Sequence, residues 1–509
     1  MPFRELLRRE WGAFRRPGRL IALAAAALAV IAAGLLYASG NHASCAGPCR
    51  HDPTSADGSV VGDRFWFLHR GLGRNGAITV RLTAMTGTIT YPPPHHDKIV
   101  PGLVPWAKAG IIIKDGVRPG SSYAALAMTG HHGVRMQYDY RHDIAGSPDG
   151  VSPRSPRWLR LTRSGATVTG AESADGLHWR TVGSVELPNL PDTAQVGLFA
   201  ASPGDLTLRK VGLGGAVEEI RFTQATGVFD HVTTAGAAAG AWRSEAIGGM
   251  NQTDWEKYHN ASGAIEKGGA IAVSGTGDIG PSGEEGVTTV DETLPGLVIA
   301  LIIILMAAAR YGAKEGTKDG TRDGTPPDAA PGRRRAVVIA RAVVVGGATF
   351  VTGLAAVGIA LPVGVAILRH NGVPVQPVSA LTAVRVVVGV AAALAMCGVL
   401  AYGLGAVVRR GWAAAVLALT LVAVPYAVAT MPLLPDAVAR WLLRLTPAAG
   451  FAVQQTRIEY PQVVAHYAPS AGYFPLPLWA GFAVLCAYVL AVLWRATTRA
   501  PSHRPTNWR

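Results

Sequence analysis

The sequence predicts an α-helical polytopic membrane domain of six spans, with an all-β extracellular domain inserted between the first span and the second. Three observations carry this. The chain is 49% hydrophobic and only 16% charged, where soluble proteins carry about a quarter charged residues. Six apolar runs approach or exceed the roughly 20 residues that a helix needs to cross hydrocarbon. Between the first two runs lies a stretch of different texture, with short β-prone segments separated by Gly, Pro, Asn and Asp. That punctuation belongs to a sandwich or barrel.

Residues 1–19 are expected to form a cytosolic amphipathic helix. Phe3, Leu6, Leu7, Trp11 and Phe14 recur at helical spacing, with Arg and Glu opposite. Such a helix lies in the interface, its arginines among anionic headgroups, so membrane lipids are expected partners. Residues 20–37 (LIALAAAALAVIAAGLLY) carry no charge and form the expected first span. No small-residue cleavage site follows closely, which argues against a signal peptide.

Residues 38–292 are assigned to the outside, with a β core at about 59–280. Cys45 and Cys49, spaced C-x3-C just beyond the first span, allow a short-loop disulfide in an oxidising location. Two thiols alone are an incomplete metal site, so no metal is expected. Strands are expected at Arg64–Leu68, Ala77–Leu82, Gly110–Lys114, Tyr123–Met128, Val134–Tyr138, Trp158–Thr162, Thr167–Gly170 and Val196–Ala200, with a hairpin turn at Asp175-Gly176. Gly71-Leu72-Gly73-Arg74-Asn75-Gly76 matches G-x-G-x-x-G but leads into a strand rather than a helix, so a hairpin loop is expected there instead of a dinucleotide site. The densest polar patch is His131-His132 with Arg135, Gln137 and Asp139. Alternate strand residues share a face, which makes these five the candidate ligand groove, with a solvated sheet face as the competing reading.

The remaining spans are expected at residues 293–309, 336–368, 381–408, 412–434 and 476–494. The cytosolic loop 310–335 holds three tandem tetrapeptides, from Lys314-Glu315-Gly316-Thr317 to Arg322-Asp323-Gly324-Thr325, and then Arg333, Arg334 and Arg335. Glycine every fourth residue with alternating charge reads as a flexible linker. Arg385 is the exceptional charge inside a span and a functional suspect by default, with snorkelling to the outer interface as the alternative. Cys397 and Cys486, both within spans, are expected to pack as small apolar residues. Residues 435–475 are semi-apolar and broken at Thr446-Pro447 and Pro461, which suits an extracellular interfacial or re-entrant segment. Residues 495–509 form the tail.

Lys and Arg fix the orientation. The N-terminus, the loop 310–335, Arg409-Arg410 and the tail hold most of them, and with six spans all four groups fall on one side. The positive-inside rule makes that side the cytosol of a plasma membrane protein, with both termini inside. The net charge of +14 is therefore a topology signal and not a nucleic-acid footprint. No Gly-Lys dipeptide occurs, so the chain has no Walker A cradle for ATP. No H-E-x-x-H, G-x-S-x-G or paired-acid cluster is present either. No catalytic residue, resident cofactor or enzyme activity is expected.

Two parts of the chain resemble known families. Arg4-Glu5-Leu6-Leu7-Arg8-Arg9-Glu10-Trp11, the run Ala342–Pro362, the run Ala383–Gly389 and Leu445–Gln455 resemble type-2 ABC transporter permeases of high-GC Gram-positive bacteria. The resemblance implies six spans, an interfacial N-terminal helix, re-entrant helices before the last span and a cytosolic loop that meets a separate ATPase. ATP would be used through that partner, with Arg333–Arg335 among its expected contacts, and the permease would work as a homodimer or paired permease. The outer part is similar to a concanavalin A-like lectin/glucanase jelly roll (laminin G-like), on Trp106–Lys114, Ser122–Ala124, Gly133–Tyr138, Arg157–Leu161 and Asp175–Trp179. That likeness implies a cell-wall glycan as a further partner. In one departure, Arg310-Tyr311 runs into the Lys-Glu-Gly-Thr repeat where these permeases continue with a Tyr-Arg-rich docking helix. The alternative function is a non-transporting, membrane-anchored glycan-binding or sensor protein on a permease-like scaffold.

Overall fold

A computed structural model describes residues 2–43, 53–91, 98–237, 241–250, 254–259, 261–282, 287–318 and 331–498. Among them, six helices are long and apolar enough to cross a membrane, and the residues between the first and second of these form a large, barrel-like β domain.

The helical part begins with α1 (Phe3–Phe14) and α2 (Pro17–Gly40). Arg16 is extended and Pro17 opens α2, because a first-turn residue needs no N–H partner. The short α3 (Asp254–His259) lies in the β domain. Helices α4 (Leu297–Lys318), α5 (Pro331–His370) and α6 (Ala380–Val408) follow. Ser379 caps α6 by accepting from the Thr382 N–H at 3.1 Å. The fifth crossing, residues 411–430, is composite: α7 (Gly411–Ala418), a π turn at Leu419–Ala423 and α8 (Val424–Thr430). The π turn precedes Pro425, whose missing N–H breaks the regular ladder. Then come α9 (Asp436–Leu445), a 3-10 helix at Pro447–Gln454 and α10 (Leu478–Thr498). The expected break at Thr446-Pro447 is where α9 ends.

The β domain comprises β1 (Val61–Asp63), β2 (Phe65–Thr90), β3 (Ile99–Pro101), β4 (Lys108–Lys114), β5 (Tyr123–Thr129), β6 (Val134–Tyr138), β7 (His142–Ala145), β8 (Arg157–Ser164), β9 (Thr167–Ser173), β10 (Arg180–Glu186), β11 (Ala194–Ala201), β12 (Asp205–Val211), β13 (Gly215–Ala237), β14 (Arg243–Ile247), β15 (Gly263–Lys267), β16 (Ala270–Gly275) and β17 (Ile279–Pro281). The long β2 organises it. Its first half pairs with β11 and β14, its second with β8 and β13, so the sheet folds over a shared core. Leu126, Met136, Leu159 and Val196 fill that core, with Ile111 and Ile113. The opposite face of β4, with Ile112, packs in a second cluster against Phe65, Phe67 and Phe199. Both faces of β4 and β5 are thus buried, which explains their unbroken apolar runs. β1 pairs with β17 and closes the domain on its own ends.

Several expectations are corrected here. The Gly71–Gly76 stretch is no hairpin loop, because it lies inside the continuous β2. Glycine lets the two long strands touch at this bend: a Cβ on Gly76 would sit 2.4 Å from the Ala235 carbonyl oxygen. The repeat does not begin as a flexible linker, since α4 continues through Lys314 to Lys318. The rest of the repeat, from Asp319, lies outside the described residues. The third helix starts at Pro331, five residues before the expected span, and the fifth crossing stops at Thr430.

The β domain touches the helical part at several places. Val60 N–H donates to the Gln376 side chain at 3.1 Å. Gln462 donates to the Arg141 carbonyl at 2.8 Å. The β12–β13 turn meets the end of the fifth crossing, where Leu213 N–H donates to the Leu433 carbonyl at 3.0 Å.

Candidate functional site

A polar junction closes one end of the helical bundle, where α2, the segment before α4, α6, α8 and the segment after the 3-10 helix converge. A short 3-10 helix at Val290–Thr293 presents two acids. Glu292 caps its own helix, accepting from Thr289 N–H at 3.1 Å. The same carboxylate accepts from Tyr37 Oη at 2.6 Å and from Arg457 Nη2 at 2.7 Å. Asp291 accepts from the Thr456 hydroxyl. Burial pushes the Asp291 carboxyl above the usual range, against the lowering effect of Thr456, Thr289 and Arg457.

Arg385 joins this junction: its Nη2 donates to the Gln455 carbonyl at 2.6 Å. The expected intramembrane arginine therefore reaches a backbone oxygen of the segment that follows the 3-10 helix. Gln455 in turn donates to the Arg457 carbonyl at 3.1 Å and accepts from Phe474 N–H at 2.8 Å. Tyr426 and Gln454 form a neighbouring buried pair, in which Gln454 Nε2 donates to Tyr426 Oη at 2.9 Å. Among the described residues, Arg385 Nε and Arg457 Nε are buried without a hydrogen-bond partner. Arg457 thus holds Glu292 with Asp291 nearby, while Arg385 ties the same chain segment through the Gln455 carbonyl, and each arginine keeps a spare donor.

The sequence had marked Arg385 alone. Tyr37, Asp291, Glu292, Gln454, Thr456 and Arg457 carry no local motif, because they come from three separated stretches. The available signal is an acid pair directly before an expected span, at Asp291-Glu292, and a cation in the expected re-entrant segment, at Arg457.

In the β domain the expected groove is only partly assembled. His131 and His132 are exposed in the turn between β5 and β6. His132 stacks on Trp106 with centroids 4.1 Å apart, and Arg135 lies 5.3 Å from the same indole. Burial, then Arg135 and His131, hold the His132 imidazole below its usual range. Arg135 pairs with Asp143 at 2.9 Å, and Gln137 donates to the same carboxylate at 2.9 Å. Asp139 is not on this face. It leaves the strand at φ 44°, in the turn leading to the buried Lys114, Asp63 and Tyr140. Arg135 Nη2 and Gln137 Nε2 thus both bond Asp143, an acid outside the expected groove.

On the other side of the bundle, α1 is bolted to α5. Arg341 Nε donates to Glu10 Oε2 at 2.9 Å, both side chains nearly buried. Arg19 lies 4.2 Å from the Tyr311 ring, and Phe14 meets the same ring edge-on at 5.3 Å. Arg341 therefore joins two helices through a nearly buried pair. Arg334 is half-buried and Arg335 exposed at the start of α5, while the Arg333 side chain lies outside the described residues. Cys45 and Cys49 also lie outside them. Cys397 is buried as expected, but Cys486 is exposed on α10.

No family model matches the chain, and no curated protein matches it. Some solved structures do. A functionally unknown protein from Saccharomyces cerevisiae is 15% identical, with 38% of this chain and 84% of that chain covered at a TM-score of 0.22. A scytalido-glutamic peptidase with a transition state analog inhibitor is 7% identical, with 42% and 98% covered at 0.27. A xylan beta-1,4-xylosidase from Bacillus halodurans C-125 is 14% identical, with 25% and 24% covered at 0.18. Scores at this level carry no argument about the fold or chemistry of this chain.

Proposed function

We propose that the chain is the membrane subunit of an ABC exporter, energised by a separate ATPase subunit and working as a homodimer or paired permease. The outer domain is read as a concanavalin A-like jelly roll that handles substrate or cell-wall glycan near the exit. Both termini face the cytosol of the plasma membrane, and residues 38–292 lie outside.

One observation supports this reading most: the buried Glu10–Arg341 bond that fixes α1 to α5. An ATPase pressing on an interfacial helix moves a span only if the two are rigidly joined. A hydrogen-bonded ion pair out of water supplies such a joint. The order of elements fits as well. Two short helical pieces, α9 and the 3-10 helix, precede the last span as re-entrant helices would. At the far end, the Tyr37–Glu292–Arg457 junction and the Arg385 bond are what must part for an outward opening. The chain itself has no phosphate cradle, so ATP acts only through the partner.

The second reading, a non-transporting anchored glycan-binding or sensor protein, is favoured by the Gly-Thr repeat from Lys314, which stands where such permeases carry a Tyr-Arg-rich docking sequence. Crosslinking in membranes separates the two. With a photo-crosslinker on exposed Arg8 or Arg335, an ABC ATPase is the expected adduct, and the purified chain alone should hydrolyse no ATP. Repeated capture of no ATPase from either position would favour the anchored sensor.

A further inference from the structure

We propose that the β12–β13 ribbon is an arm of the outer domain that dips into the outer leaflet, its tip residue Leu213 embedded in phospholipid beside the end of the fifth span. The proposal rests on the membrane reading above.

The tip is apolar, exposed and held rigidly. Leu213 is 80% exposed, yet its N–H is bonded to the Leu433 carbonyl at 3.0 Å. The neighbouring chain is pressed so close that a Cβ on Gly215 would lie 2.1 Å from the Pro432 carbonyl oxygen. The exposed leucine is therefore fixed in place against the segment that leaves the fifth span. Met431 and Leu433 in that segment are exposed too. Next along the chain, α9 buries Ala439 and Leu443 on one side and exposes Val438, Trp441 and Leu445 on another. Those three positions follow helical spacing, so they form one uncovered stripe. Leu213 thus extends an apolar surface that already flanks a transmembrane crossing.

Charge placement agrees. Lys210 is exposed three residues before the tip, with Arg209 beside it paired to Glu219 at 2.5 Å, and Arg444 lies 5.2 Å from the Trp441 ring. An apolar tip below cations, with an aromatic beside it, is the arrangement of a headgroup-level anchor. The arm also has a firm shoulder: Glu218 on β13 accepts from His466 N–H at 3.2 Å, and the His466 ring bonds Asp436 at the start of α9 at 2.7 Å. Because β13 runs on into the core of the β domain, a shift at the end of the fifth span would be passed to that domain through the arm.

The test uses the full chain with its four cysteines replaced, one cysteine carrying an environment-sensitive fluorophore, and phosphatidylcholine nanodiscs with or without brominated acyl chains. Probes replace Leu213, Gly150 and Leu28, the last an exposed residue of the first span. Quenching by bromine at Leu213→Cys and Leu28→Cys, with Gly150→Cys unaffected, is the expected result, and a loss of at least half the Leu213→Cys emission is anticipated. Quenching at Leu28→Cys but not at Leu213→Cys overturns the arm while leaving the membrane reading in place, whether the tip faces water or a second copy of the chain. No quenching at either position overturns both.

Discussion

Two residues nearly out of water, Glu10 and Arg341, make the strongest single-residue prediction. Removing one member of a buried pair leaves the other uncompensated, at a cost of about 3–5 kcal/mol. Arg341→Ala, which leaves the Glu10 carboxylate behind, should therefore lower the unfolding midpoint in detergent sharply. Glu10→Leu combined with Arg341→Met should recover most of the loss, because paired apolar replacements avoid the stranded charge. At the polar junction, Tyr37→Phe removes one hydrogen bond to a charged group and should cost about 1.5–3 kcal/mol by the same melt. A third prediction concerns the Asp175–His178 turn. The His178 ring, then its N–H and that of Leu177, hold the Asp175 carboxyl far below the usual range, and Asp175 raises the His178 imidazole. The acid's contribution is present above its unfolded value of about 3.9 and fades as pH falls towards the depressed one. The imidazole's contribution is full below about 6.5 and fades as pH rises through the raised value. The turn is thus firmest between about pH 4 and 6.5. An NMR titration should place the His178 midpoint above that of a free imidazole, and Asp175→Asn should bring it down.

Elements were more legible than sites. The apolar runs announce their helices because hydrocarbon demands length and uniformity, and the strands β4, β5, β6 and β8 fall on short apolar or alternating runs bounded by Gly, Pro or Asp. The errors came from long-range effects. Nothing local tells that Gly71–Gly76 is a bend in one 26-residue strand, since only pairing with β13 keeps it extended. Likewise Arg385 stood out as a charge in an apolar run, but its partner is the backbone of Gln455, seventy positions away. The groove at His131–Asp139 assumed that one strand continues to Asp139, and a left-handed turn there removes that residue from the face. The ends of the β domain make a prediction of their own. Because β1 pairs with β17, residues 55–285 alone should give a β-rich circular dichroism spectrum and a cooperative melt. A disordered or helical spectrum would count against an autonomous domain.

At the scale of the whole molecule, the β domain and the Arg-rich loops must lie on opposite sides of the bilayer, and the permease reading, the outer junction and the membrane-dipping arm all depend on it. Six helices satisfy the length and hydropathy that crossing requires, and the Lys and Arg placement gives the expected sides. The most direct measurement is cysteine accessibility in intact cells, with Cys45, Cys49, Cys397 and Cys486 replaced and single cysteines introduced at Gly150 or Gly320. An impermeant thiol reagent should label Gly150→Cys at once and reach Gly320→Cys only after the cells are lysed. Labelling of Gly320→Cys in intact cells, with Gly150→Cys protected, would contradict the account.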